Sequence, residues 1–278
     1  MIRPLTERLE KLGPGRLVVV TGAGISAASG IPTFRGSDPD AVWKRDILEL
    51  GTFGFFRRDP VASWRWYLER FRHVLEARPN PSHLAIAALE RWHLGRGGEF
   101  LLVTQNIDTL HEQAGSRTMV KVHGSADRVR CATDGCVHGA PSGSLPRDEV
   151  DVGAFLEHPS TDTLPRCPAC GDVLRQHVLW FDEYYAAHED FQWPRVMEAA
   201  SSMDLALFVG TSFAVGVTEL FLELVRARRV PAFSVDPGGV APRGTAVAVL
   251  RGKAEELLPE VCRRVGAPVD GAGNRPAT

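Results

Sequence analysis

Residues 18–36 read VVVTGAGISAASGIPTFRG, and this stretch decides how the chain folds. It begins as a β-branched apolar run, turns at Gly22-Ala23-Gly24 and continues through small residues that include Ser26. A buried strand that runs into a glycine turn and then a helix is how a doubly wound sheet presents backbone N–H groups to phosphate. The third glycine of the dinucleotide fingerprint GxGxxG is missing at its usual place. The stretch predicts a phosphate-binding turn, followed by a helix that begins near Ser26.

Composition and charge limit the class of protein. The chain has 278 residues, of which 44% are hydrophobic and 24% charged, and its formal net charge is −2. This balance gives no attraction of the whole chain to nucleic acid or to an anionic membrane. No apolar run approaches the roughly 20 residues that span a bilayer, and the N-terminus lacks the apolar core of a signal peptide. We therefore expect a cytoplasmic protein that binds neither nucleic acid nor membrane, while the oligomeric state stays open.

Strand-like and helix-like segments alternate along the chain. This alternation predicts a mostly parallel α/β sheet that is covered on both faces. Strands are predicted at residues 16–21, 99–104, 119–122, 177–181, 205–209, 231–235 and 246–250. Helices are predicted at residues 2–12, from Pro60 to about residue 77, at 83–92 with Ser82 as the cap, at 195–202, at 217–227 and around Cys262.

Five of the predicted strands end in polar or glycine-containing motifs. In parallel sheets, ligands bind beyond the carboxyl ends of the strands. The motifs therefore predict one large ligand crevice along a single edge. They are Gly22-Ala23-Gly24, Gln105-Asn106-Ile107-Asp108, His123-Gly124, Gly210-Thr211-Ser212 and Asp236-Pro237-Gly238.

The combination of motifs resembles the sirtuin family. GAGISAASGIPTFRG, TQNIDTLH, a His-Gly strand end, two cysteine pairs, WF-x-E and GTS occur here in the family's order, over residues 17–258. The resemblance implies NAD-dependent removal of acyl groups from lysines of protein substrates or, less often, transfer of ADP-ribose. It also implies a Rossmann-like doubly wound sheet with a small module made of a helical insertion and a zinc ribbon.

The resemblance divides the chain as follows. The Rossmann-like NAD-binding domain is expected at residues 1–37, 80–125 and 177–266. The small domain is expected to combine a helical insertion at 38–79 with a zinc-binding module at 126–176. The tail at 267–278 has nothing to bury, and we expect it to be disordered.

The resemblance implies catalytic roles for His123, Asn106 and Asp108. Asn106 and Asp108 would form the nicotinamide pocket, although such residues in loops often make only local turn bonds. His123 would be the general base, because a pKa near neutrality suits removal of a ribose hydroxyl proton. A lone histidine is more often structural. The implied products are free lysine, nicotinamide and O-acyl-ADP-ribose.

The resemblance also gives the NAD-binding residues. Phe34 and Arg35 would close over the nicotinamide ribose and exclude water. The full set is Gly22, Ala23, Gly24, Ser26, Thr33, Phe34, Arg35, Gln105, Asn106, Ile107, Asp108, His123, Gly210, Thr211, Ser212, Asp236, Pro237 and Ala254. Asp236 stands where the family commonly has asparagine, and its carboxylate would discourage NADP by repelling a 2′-phosphate.

Four cysteines form two pairs with the spacing of zinc ligands, Cys131 with Cys136 and Cys167 with Cys170. Four thiolates complete a tetrahedron and leave no open position, so this zinc would be structural. Unmetallated thiols remain an alternative, and His138 is a poorer substitute for Cys136.

Tyr67 and Arg70 lie three residues apart and share a helix face. Such residues usually serve packing and solvation. In one sirtuin branch, however, a Y-x-x-R pair at this position binds the carboxylate of succinyl-, malonyl- or glutaryl-lysine, and a phenol with a planar guanidinium suits that task. Thr33 and Gly51 agree with that branch. The resemblance further assigns Val178 and Phe181 to the substrate.

Two departures from the family pattern bear on acyl preference. Asp182 replaces a glycine beside the acyl-lysine channel, where its charge would disfavour an acidic acyl group unless it points away. The pair Tyr184-Tyr185 that follows is also unusual for the family.

Two rival functions use the same cofactor pocket. One is a mono-ADP-ribosyltransferase. The other is a non-catalytic sensor of NAD or ADP-ribose, with the zinc module as a partner-binding surface. His123 argues against the sensor, because a protein that only binds needs no base at this edge.

Overall fold

The computed structural model describes residues 2–32, 46–214, 216–239 and 244–269. The helices are α1 (Arg3–Lys11), α2 (Asp46–Leu50), α3 (Phe53–Arg58), α4 (Pro60–Glu76), α5 (Pro81–Leu94), α6 (Leu110–Gln113), α7 (Gly153–Glu157), α8 (Trp193–Ser202), α9 (Gly216–Arg228) and α10 (Ala254–Val265). The strands are β1 (Arg16–Thr21), β2 (Glu99–Thr104), β3 (Met119–Lys121), β4 (Gly124–Cys131), β5 (Leu145–Pro146), β6 (Leu174–Val178), β7 (Leu205–Val209), β8 (Ala232–Asp236) and β9 (Val247–Arg251).

The larger sheet has the strand order β3-β2-β1-β7-β8-β9. All its pairs are parallel, and Val19 of β1 lies between Leu102 of β2 and Leu207 of β7. From β1 the chain adds β2 and β3 on one side of the sheet and β7, β8 and β9 on the other. The boundary between β1 and β7 is therefore a topological switch point, and doubly wound folds form their ligand crevice at such a point. The structure confirms the predicted parallel sheet.

Each face of this sheet is covered by an apolar layer. One face packs against α1, α5 and α10, with Leu9, Ile86 and Leu258 fully buried. The other face packs against α8 and α9 through residues such as Val196 and Phe221. Burial on both faces explains why the strands read as continuous apolar runs. The predicted core position of Cys262 is confirmed.

The smaller sheet has the order β5-β4-β6 and is antiparallel. Helices α3 and α4 share one apolar core with it, and Trp64 of α4 donates its indole N–H to the carbonyl of Leu174 at 2.7 Å. The helical insertion and the cysteine-containing segment therefore form one packed module.

The prediction that residues 177–181 form a strand of the larger sheet was wrong. The observed strand β6 pairs with β4, with Arg130 opposite Arg175. Beyond it, the chain leaves the ladder, and the Leu179 amide donates to the carbonyl of His123 at 2.9 Å. A short apolar run indicates a buried strand but does not tell which sheet the strand joins.

Two predicted helix starts were also wrong. After the glycine turn the chain forms two short 3-10 turns, Ala23–Ile25 and Ala27–Ser29, instead of a helix from Ser26. Asn80 caps α5, since its side-chain oxygen accepts from the Ser82 amide at 2.9 Å and Pro81 takes the first helical position. Among the described helices, none is long and apolar enough to cross a bilayer.

Candidate active site

Three glycines allow the turn after β1 to cross the end of β7 at backbone contact. A Cβ on Gly24 would lie 2.8 Å from the Cα and the carbonyl oxygen of Gly210. One on Gly22 would lie 2.9 Å from the same carbonyl oxygen, and Gly210 itself has φ +61°. Any side chain at these positions would push the two loops apart, so the glycines set the shape of the crevice floor.

Two amides of this turn are already used within the protein. The Gly22 amide donates to the Val209 carbonyl at 3.1 Å, and the Gly24 amide donates to the Gly210 carbonyl at 2.8 Å. These two N–H groups are therefore not free for phosphate, contrary to the simplest interpretation of the glycine motif. Glycine is needed at these positions because a side chain would prevent the two backbones from packing closely against each other.

Ser26, Asn106 and Asp108 form a buried hydrogen-bonded network at the ends of β1 and β2. The Ser26 hydroxyl donates to Asp108 Oδ2 at 2.9 Å and accepts from Asn106 Nδ2 at 3.0 Å. Asn106 Nδ2 also donates to the Gly22 carbonyl at 3.2 Å, and Asp108 Oδ1 accepts from the Leu110 amide at 3.1 Å. The amide and the carboxylate are thus fixed in orientation before any ligand binds.

A cavity of about 380 Å³ opens over this network. Ala23, Ser26, Asn106, Ile107 and Asp108 line one side, and helix α4 lines the other through residues that include Tyr67 and Arg70. The volume is that of a small-molecule site. The structure therefore brings the predicted nicotinamide-pocket residues and the Y-x-x-R pair to a single cavity.

His123 follows β3 at the next strand end. Its Nδ1 lies 2.8 Å from the Gln105 carbonyl oxygen, which can only accept, so Nδ1 carries the proton and Nε2 keeps its lone pair. Burial lowers the pKa of His123 to about 4, against a weaker opposing effect of this hydrogen bond. The imidazole is neutral at pH 7, and its Nε2 can accept a proton.

Tyr185 is a site residue that sequence reasoning missed. Its ring stacks on His123 with centroids 5.8 Å apart and on Trp193 at 4.4 Å. Its oxygen lies 3.4 Å from His123 Nε2 and accepts from the Val217 amide at 3.3 Å. The phenol O–H is therefore left to face the base. The unusual Tyr184-Tyr185 pair was the signal, but only the fold places it beside His123.

The other predicted cofactor residues lie along the same strand ends. Gln105 Nε2 donates to the Thr21 carbonyl at 3.1 Å and to Thr211 Oγ1 at 3.2 Å, which joins β1, β2 and β7. The remaining residues lie at the ends of β7 and β8 and at the start of α10, namely Ser212, Asp236, Pro237 and Ala254. Thr33, Phe34 and Arg35 lie outside the described residues.

The predicted substrate residues divide into buried and exposed ones. Tyr67 and Val178 are buried in the core of the small module, whereas Phe181 is 52% exposed. Burial raises the pKa of Tyr67, so its phenol stays protonated and can donate. The guanidinium of Arg70 lies over the Trp66 ring, 4.3 Å from its centroid. Ring stacking holds the cation at the cavity wall.

The carboxylate of Asp182 is bound at the start of α3. It accepts from the Phe53 amide at 2.7 Å and from the Gly54 amide at 3.0 Å. These two bonds direct the charge to a helix N-terminus, where negative charge is stabilised. The sequence left open whether this carboxylate points away from the acyl group, and the structure shows it bound to the amides of α3.

The four cysteines converge as predicted. Their sulfur atoms all lie within 4.8 Å of one another, with Cys131 3.4 Å from Cys170 and Cys136 3.6 Å from Cys167. Sulfurs on a tetrahedral zinc, each about 2.3 Å from the metal, lie roughly 3.8 Å apart. The donor set therefore fits a structural Zn²⁺ that holds β4 to the loop before β6.

Comparison with known proteins identifies the family. The model of the Sir2 family matches residues 22–217. The chain belongs to the Sir2 family. It is 39% identical over 251 residues to NAD-dependent protein deacylase 2 of Pyrobaculum aerophilum, covering 89% of this chain and 90% of that protein. It is 42% identical over 254 residues to NAD-dependent protein deacylase 1 of Pseudomonas aeruginosa, covering 91% of this chain and 95% of that protein.

Solved Sir2 structures share the whole fold. A Sir2 homologue in complex with NAD aligns with a TM-score of 0.75 at 36% identity, covering 94% of this chain and 93% of the other. A Sir2 variant with a deacetylated peptide and 3′-O-acetyl-ADP-ribose aligns with a TM-score of 0.79 at 26% identity, covering 96% of this chain and 99% of the other. The predicted Rossmann-like fold with its small module is confirmed.

Sir2 enzymes use NAD, and the residues present fit this cofactor. The cavity is lined by a fixed amide, Asn106, and a fixed carboxylate, Asp108, at the switch point of the sheet. Both side chains are at least nine-tenths buried, which makes a pocket for a neutral ring with a carboxamide group.

Proposed function

We propose that this chain is an NAD-dependent protein-lysine deacylase whose acyl site accepts a carboxylate. The observation that carries the proposal is the single cavity that joins Asn106 and Asp108 to Tyr67 and Arg70. The leaving group and the acyl group would then meet on opposite walls of one site.

Bound NAD would supply an electrophilic ribose carbon with nicotinamide as its leaving group. Asn106 and Asp108 would hold the carboxamide through the orientation that Ser26 gives them. His123 would accept a ribose hydroxyl proton at Nε2, because Nδ1 is engaged with Gln105. Tyr185 must release Nε2 for this transfer, since its hydroxyl faces the same atom.

Recognition of an acidic acyl group would rest on two side chains of α4 that line the cavity. The protonated phenol of Tyr67 and the guanidinium of Arg70 line the cavity, and Arg70 is held against Trp66. A charge-assisted pair of this kind matches the geometry of a carboxylate. Asp182 does not oppose it, since the Phe53 and Gly54 amides bind its carboxylate.

The two rival functions are less well supported. A sensor needs no imidazole at the strand end whose Nε2 can accept a proton, yet the tautomer of His123 provides one. A mono-ADP-ribosyltransferase needs no acyl pocket, yet Tyr67 and Arg70 form one wall of the cavity.

The test compares deacetylation with desuccinylation of matched peptides by the variant Arg70→Met. We expect desuccinylation to fall roughly 10- to 100-fold, because a hydrogen bond to a charged group is worth about 1.5–3 kcal/mol, while deacetylation changes little. The matched control is Arg65→Met, an exposed arginine on the same helix, which should leave both activities unchanged. Equal losses on both peptides would contradict acidic acyl recognition but not deacylation itself. ADP-ribosylated protein without acyl loss in the unmodified enzyme would favour the transferase.

A further inference from the structure

A second cluster of metal-ligand side chains lies outside the cysteine site. His177 is in β6, and His188 and Asp190 follow it in the chain between β6 and α8. His177 Nε2 lies 3.1 Å from Asp190 Oδ2, and His188 Nδ1 lies 3.8 Å from the same oxygen. One ligand atom from each of the three residues lies within 4.8 Å of the others.

These distances suit a tetrahedral metal. Two nitrogen or oxygen ligands, each about 2.05 Å from Zn²⁺, lie roughly 3.3 Å apart. The two observed separations lie on either side of that value. Two imidazoles and one carboxylate are the ligand types of three-ligand zinc sites, in which the fourth position stays open.

Hydrogen bonds from neighbouring groups orient His188 and Asp190. His188 Nε2 donates to the Gly143 carbonyl at 3.1 Å, so Nδ1 carries the lone pair; it accepts from the Asp190 amide at 3.2 Å, and a bound metal would replace this bond. Ser144 donates its hydroxyl to Asp190 Oδ2 at 2.9 Å. Outer-shell bonds of this kind fix the tautomer and the ring orientation of a ligating histidine.

The cluster also has an entry path. The side chains of His177 and His188 are almost fully buried, whereas that of Asp190 is 42% exposed. An ion can therefore reach the two imidazoles past the carboxylate, and the fourth position would face solvent on that side.

We propose that His177, His188 and Asp190 form a second Zn²⁺ site with one open coordination position. The site shares no residue with the cysteine cluster, and its ligands are not among the predicted catalytic residues His123, Asn106 and Asp108. Bound zinc would tie β6 to the segment that begins at Tyr185, the residue stacked on His123.

The experiment uses the full chain with its cysteine-bound zinc. The protein is dialysed against metal-free buffer and titrated with Zn²⁺, and bound metal per chain is measured by elemental mass spectrometry. We expect uptake of one Zn²⁺ beyond the cysteine-bound ion. His188→Gln and Asp190→Asn should each weaken this uptake roughly 10-fold or more. His158→Gln, an exposed histidine of the small module, is the matched control and should bind as the unmodified chain does.

A second measurement separates the two sites. Co²⁺ added to the unmodified protein should give d–d absorption without a new thiolate-to-metal band, because the proposed ligands are nitrogen and oxygen. Thermal melting shows whether each variant is folded. The proposal is overturned if the unmodified chain takes up no zinc beyond the cysteine site. It is also overturned if folded Asp190→Asn binds as tightly as the His158→Gln control.

Discussion

Replacing Ser26 with alanine tests the network that orients the pocket. The fully buried Ser26 hydroxyl is the donor to Asp108 Oδ2, and its removal leaves that oxygen without this bond. Asn106 keeps the Gly22 carbonyl as a partner, and Asp108 Oδ1 keeps the Leu110 amide. The loss is therefore one hydrogen bond to a charged group, about 2 kcal/mol of the free energy of unfolding. For a chain of 278 residues, with an unfolding entropy of about 2.1 cal/mol/K per residue, that lowers Tm by roughly 3–4 °C.

The assay is thermal unfolding together with kcat/KM for NAD-dependent deacylation. If between half and all of the lost energy also orients Asp108 in the transition state, kcat/KM falls roughly 5- to 30-fold. The control is Ser201→Ala, an exposed serine whose hydroxyl bonds only within its own helix. A Ser26→Ala protein with the Tm and kcat/KM of this control would show that the Ser26 hydroxyl does not orient Asp108.

Three further predictions follow from the same geometry. Gly24→Ala should lower the free energy of unfolding, measured by urea titration, by about 3 kcal/mol, because the new Cβ would clash with the Gly210 backbone. The control Gly54→Ala should leave it nearly unchanged, because the new Cβ would make only an ordinary contact at 3.6 Å. Tyr185→Phe should move the acidic limb of the kcat/KM profile up by as much as about one pH unit, because neutral His123 loses a donor. Burial lowers the pKa of His83 to about 4, so the unfolded chain binds more protons below pH 6.5. The contribution of His83 to the free energy of unfolding is complete above pH 6.5 and should decrease by about 3 kcal/mol as the pH drops to 4. Urea titrations across that pH range can measure the decrease.

The sequence predicted the sheet well because its strands are buried on both faces. Burial on both faces forces continuous apolar runs, and β1, β2 and β7 begin and end where such runs do. The segment at residues 177–181 has the same character, but its partner is β4 of the other sheet. Pairing across sheets depends on contacts distant in sequence, which a local pattern does not contain.

Helix starts and side-chain partners were less predictable for a related reason. Asn80 and Ser82 are both good capping residues, and the choice falls to Asn80 because Pro81 lies between them at the first helical position. The contact of Tyr185 with His123 joins residues 62 apart in the chain. The engagement of Asp182 with α3 spans 129 residues. Only the tertiary fold brings such pairs together.

The proposed reaction is NAD-dependent deacylation with His123 as the base. The most direct measurement is a mass-spectrometric product assay on acetyl- and succinyl-lysine peptides, with and without NAD, for the unmodified enzyme and for His123→Ala. We expect loss of the acyl mass only with NAD, with nicotinamide and O-acyl-ADP-ribose as products. We also expect a rate reduced roughly 10²- to 10⁴-fold in His123→Ala. Acyl loss without NAD, no acyl loss from either peptide, or an unchanged rate in His123→Ala would contradict it.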